Sequence, residues 1–85
     1  MRSVFVVSPF DGGWCVKVAS TGEVMFFETG GQAERRARAL AAEARAHLGE
    51  AEVWIHDRTG RLLGRWIDDR YEIVTDAADG DLIAA

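Results

Sequence analysis

Eighty-five residues suffice for one domain with a modest core, and 13 of the apolar residues are alanine, which leaves material for one sheet and one helix but not for a second helical layer. The single cysteine, Cys15, excludes an internal disulfide, and no stretch approaches the roughly 20 apolar residues that span a bilayer. The net charge of −4 is uneven, with nine basic and eight acidic side chains in residues 1–66 and one basic against six acidic in 67–85, and neither part shows the basic patch of a phosphate-backbone binder.

Val4 to Val7 is a β-branched and aromatic run and predicts a strand, which Pro9 is expected to stop. Asp11-Gly12-Gly13 carries hairpin chemistry. From Trp14 to Val18 the chain alternates, with Trp14, Val16 and Val18 on one face and Cys15 and Lys17 on the other. A turn at Ser20 to Glu23 leads to a third strand, Val24 to Glu28, in which Met25 and Phe27 oppose Val24 and Phe26. Thr29 is placed to cap a helix, with Gln32 completing a capping box. The segment from about Gly30 to Leu48 is rich in Ala, Arg and Glu, all strong helix formers. Ala33, Ala37, Leu40, Ala41, Ala44 and Leu48 fall on one side of it, and Gly49 stands where a C-cap glycine belongs. Small residues on that stripe let the helix approach the sheet closely.

Val53 to His56 predicts a fourth strand, Asp57 to Gly60 a turn and Arg61 to Ile67 a fifth strand. Val53 and Ile55 share one face, Trp54 and His56 the other. Asp68-Asp69-Arg70 breaks the fifth strand, and Tyr71 to Thr75 is a candidate sixth. These elements define an α+β fold in the order β-β-β-α-β-β: a single antiparallel sheet of about five strands with one long helix on one face. The domain is expected over 1–75, with a mobile acidic tail at 76–85.

Trp14-x-Val16-Lys17 after a glycine turn, an aromatic strand ending at Thr29, an Ala-rich helix, and Val53-x-Ile55-His56-x-x-x-Gly60-Arg61-Leu62 together resemble the bacterial domain-of-unknown-function 2188 family. The likeness covers residues 4–63, and the chain from Gly64 onward has no counterpart in it. The resemblance implies a small α+β domain and no established activity.

The residues that could carry chemistry are few. His56 could serve as a base or a ligand, but Asp57 points to the opposite side of a strand and is poorly placed to orient it; a polar strand end is the better reading. Cys15 reads as a half-buried structural cysteine rather than a nucleophile. Cys15, His47 and His56 show no zinc-ligand spacing, and His47 suits the helix C-terminus as a cation. Thr29-Gly30-Gly31 is a weak anion-site candidate at a helix start, without the Lys-Ser/Thr of a phosphate loop. Arg35, Arg36, Arg38 and Arg45 spread over the solvent side of the helix, and Glu34 pairs favourably with Arg38. Of Trp14, Trp54 and Trp66, Trp54 is the best candidate for an exposed aromatic.

One helix covers only one sheet face, so the other carries apolar surface. The expectation is a cytoplasmic, non-enzymatic protein-interaction module, free of metal and cofactor, that associates with its own copy or another protein through the open face or an edge strand. Trp54, His56, Phe27 and Met25 are the candidate surface. The alternative is a weak nucleic-acid-binding or regulatory module using the helix arginines and strand aromatics.

Overall fold

In the computed structural model, which describes residues 2–74, three strands precede the helix and three follow it. They are β1 (Ser3–Phe10), β2 (Gly13–Val18), β3 (Val24–Phe27), α1 (Gly30–Leu48), β4 (Ala51–His56), β5 (Leu62–Ile67) and β6 (Arg70–Ile73). One sheet of order β3-β2-β1-β4-β5-β6 carries α1 on one face, which is the expected α+β architecture with one strand more. The expected tail at 76–85 and the domain end at Thr75 lie outside the described residues.

The sheet is mixed rather than antiparallel. β1 and β4 run parallel, with Phe5 beside Val53 and Val7 beside Ile55; every other neighbouring pair is antiparallel. The cause is α1: its 19 residues carry the chain back over about 28 Å, so β4 enters beside β1 heading the same way. Asp68 and Asp69 end β5 as expected, and the sheet continues in β6. Asp68 takes φ 57°, the left-handed conformation that Asp tolerates, and turns β5 into β6.

Pro9 does not stop β1, which continues to Phe10. Ala19 N–H donates to the Val4 carbonyl across the same hairpin, which fixes the alternation and leaves the Pro9–Trp14 pair at a position without ladder bonds. The missing proline N–H would have pointed toward β4, beyond the last paired residue Val7.

The core forms between α1 and one sheet face. Val7, Val16 and Val53 lose essentially all their surface, and each such side chain stabilises the fold by about 1.5–3 kcal/mol. Ala33, Ala37 and Ala44 meet them from the helix, with Leu40 and Ala41 half-buried beside them. Leu48 departs from the expected stripe and is 56% exposed. It is the last helical residue, and the chain leaves the helix directly after it through Gly49, whose φ of 108° and ψ of −127° belong to a region that glycine alone enters freely.

Candidate functional site

The register sorts the candidate surface residues onto two faces. Val16 lies beside Met25 and Trp14 beside Phe27, so Met25 and Phe27 point to the helix side and pack on the core. Trp54 and His56 point the other way. The expected single surface of Trp54, His56, Phe27 and Met25 is therefore divided, because alternation shows which residues share a face but not which face the helix covers.

Trp54 sits at the middle of the open face, in the row Val24, Lys17, Val6, Trp54, Arg65, Glu72. It is half-buried, and its indole N–H donates to the Glu52 carboxylate at 2.9 Å. Glu52 is buried and also pairs with Arg2 at 2.8 Å, so the acid is held from both sides. Arg65 bridges toward Glu72 at 3.4 Å, and its Nε is buried with no partner among the described residues. The centre of this face is thus a mixed polar and apolar surface.

The apolar exposure concentrates at one corner. Phe26 is 64% and Phe10 54% exposed, and their rings lie 5.2 Å apart in a tilted arrangement. Phe10 reaches across Gly13, where a side chain has no room: a Cβ there would sit 2.8 Å from the Phe27 carbonyl. Val24 is exposed on the same face two residues from Phe26. Phe10 lies beyond Pro9, the residue expected to stop the strand. Phe26 opposes Met25 and Phe27 as expected, but it is Phe26 that faces outward.

His56 is anchored to the backbone. Its Nδ1 lies 2.9 Å from the Val7 carbonyl, and since a carbonyl only accepts, Nδ1 carries the proton of that bond. The bond caps β1 where the parallel ladder to β4 ends. Asp57 is not its partner: the carboxylate accepts from Thr59 Oγ1 at 2.6 Å, Thr59 N–H at 2.8 Å and Arg61 N–H at 3.0 Å. The Thr59 hydroxyl first, and the Arg61 N–H next, hold Asp57 below the usual carboxylate range. Arg2 does the same for Glu50 at the far end of the sheet.

Cys15 is buried, 3.5 Å from Ser8 Oγ. Among the described residues no group of three His, Cys, Asp or Glu side chains could hold a metal ion, and Cys15, His47 and His56 sit on β2, α1 and β4. At the helix start Thr29 and Gln32 form the expected reciprocal capping box at 3.1 and 3.2 Å. A Cβ at Gly30 would lie 3.1 Å from Trp14 Cε2, so this glycine serves close packing on the indole.

The helix arginines divide in use. Arg38 stacks on the Trp66 ring at 3.7 Å, and Arg45 pairs with Asp69 at 3.3 Å. Trp66 also donates to Glu34 at 3.0 Å and meets the Tyr71 ring at 5.1 Å, which ties β5 and β6 to the flank of α1. Here the chain stands as a small α+β domain with one sheet face that no helix among the described residues covers. Compared with protein-family models, with characterised proteins and with solved structures, it matches none. No helix among the described residues is long and apolar enough to cross a membrane.

Proposed function

We propose that the chain is a non-enzymatic protein-interaction module that binds another protein chain, its own copy included, through the side of the sheet that α1 leaves uncovered. The observation that carries this reading is the joint exposure of Phe10, Val24 and Phe26 at one corner of that face. Aromatic side chains are enriched at the centres of protein interfaces, and a soluble chain gains by covering them. A cytoplasmic location and the likeness to the 2188 family belong to the same proposal. The latter rests on the sequence motifs between Trp14 and Leu62. The nucleic-acid alternative loses Arg38 and Arg45 to partners within the chain.

Sedimentation equilibrium of the wild-type chain is expected to show association that grows with concentration. Trp54→Ala, which removes an aromatic from the same face, is expected to raise solubility. A strict monomer at high concentration, with solubility unchanged by Trp54→Ala, would refute self-association through this face and count heavily against the wider reading.

A further inference from the structure

We infer that β3 is a self-pairing edge, joining antiparallel to β3 of a second copy with Phe26 opposite Phe26. The assignment rests on the interaction reading above and narrows it to one edge, one occupant and one register.

Among the described residues the two edges of the sheet are unlike. β6 carries Arg70 and Glu72, which pair at 3.1 Å, and charged side chains are the usual protection of an edge against pairing. β3 is Val24-Met25-Phe26-Phe27 and carries no charge. Its main chain is also in phase for a partner. Val18 N–H donates to the Glu23 carbonyl at 2.8 Å, so by the alternation of an antiparallel ladder Met25 and Phe27 direct their main-chain groups at β2. Val24 and Phe26 therefore direct theirs outward, to the free edge.

Two-fold symmetry then limits the register. Directly opposed residues share a face, so an antiparallel strand pairing with its own copy must set one residue against itself. Within β3 the central choices are Met25 and Phe26. With Met25 at the centre, the central main-chain groups are already spent on β2, and Glu23 is driven against the half-buried Phe27 of the second copy. With Phe26 at the centre, the two Phe26 residues exchange both ladder bonds. The Phe10 and Phe26 rings of each copy then meet as one four-ring cluster on the open face.

Charge favours the same register. Glu23 falls opposite Thr29 of the second copy, at the start of α1, whose first turn holds no acidic residue. A carboxylate at a helix N-terminus is favourable. On that side a depression of about 560 Å³, lined by Phe26, Phe27, Glu28, Gln32 and Arg35, is open to receive the second chain. No like charges are set against each other, since Glu28 meets Val24. A four-residue strand makes a small contact, so dissociation is expected between roughly 10 µM and 1 mM.

The test uses two charge variants of the full chain, Phe26→Asp and Phe26→Lys, in sedimentation velocity. Each alone should associate at least about tenfold more weakly than wild type, because like charges face each other at the centre. Their equimolar mixture should associate about fivefold more tightly than either alone. Val24→Pro removes an outward N–H and leaves the β2 ladder intact. It should weaken association with an unchanged circular dichroism spectrum, and it stands in should either charge variant fail to fold. Wild-type association undiminished in all three variants overturns the β3 edge and leaves the wider interaction reading standing. Loss of association without recovery in the mixture overturns the Phe26-centred register. A wild type monomeric throughout overturns this assignment and self-association together.

Discussion

Alanine at Gly30 and alanine at Gly31 are expected to change stability in opposite directions. Both glycines lie at the start of α1, and neither has a positive φ, so neither is required by backbone conformation. Replacing a helical glycine by alanine stabilises by about 0.5–1 kcal/mol where space allows. At Gly31 the nearest atom to the new methyl is the tip of the flexible Arg35 side chain, 3.6 Å away, so that gain should be kept. At Gly30 the methyl would meet three Trp14 ring atoms at 3.1, 3.3 and 3.4 Å. Trp14 packs against the core and lies beside Phe27, which restricts its retreat. Overpacking of this kind costs about 1–3 kcal/mol and outweighs the gain. The two variants should therefore differ by at least about 1 kcal/mol, or about 4–8 °C in Tm for a domain of this size. Urea denaturation followed by tryptophan fluorescence measures this directly. If Gly30→Ala stabilises as much as Gly31→Ala, the close approach of helix to indole is not what selects glycine there. The anion reading of Thr29-Gly30-Gly31 would then regain weight, and a stabilising effect of added phosphate on the wild type would be its signature.

Gly64→Ala is expected to destabilise by about 1–3 kcal/mol, because a methyl there collides with the Tyr71 ring and lies 2.7 Å from the Glu72 carbonyl. Hydrogen exchange should show β6 opening first, and protection unchanged at β6 would contradict the close fit. Asp57 supplies a pH dependence of defined sign. Its carboxyl is held below the usual range by Thr59 and Arg61, so its contribution is present above that range and is lost as the pH falls through the depressed folded value. The stability gap between wild type and Asp57→Asn should therefore narrow in acid and be constant at neutral pH. A gap that widens on acidification would show the sign to be wrong.

Much of the fold was legible because it rests on local chemistry. Thr29 and Gln32 announce the capping box, and Gly49 the helix end, through bonds and dihedrals that span a few residues. The alternation in β2 and β4 placed Trp14, Val16 and Val18 together, and Val53 opposite Trp54, as the sheet shows. The candidate surface was legible only in half. Trp54 lies on the open face as expected, while Met25 and Phe27, expected outward, pack on the core and Phe26 takes their place. Alternation divides a strand into two sets without labelling either. The label comes from β2, whose Val16 lies under the helix and takes Met25 with it.

The amino-acid order by itself determined the element sequence, the caps, the alanine stripe of the helix and the pairs of residues that share a face, because each follows from periodicity or hydrogen bonds within a few residues. The tertiary structure alone decided that β4 runs parallel to β1, that Pro9 could stay in a strand, that Arg38 stacks on Trp66, and that the exposed aromatics gather at Phe10 and Phe26. Each of these depends on which distant segment arrives alongside, and the helix that reverses the chain fixes that arrival.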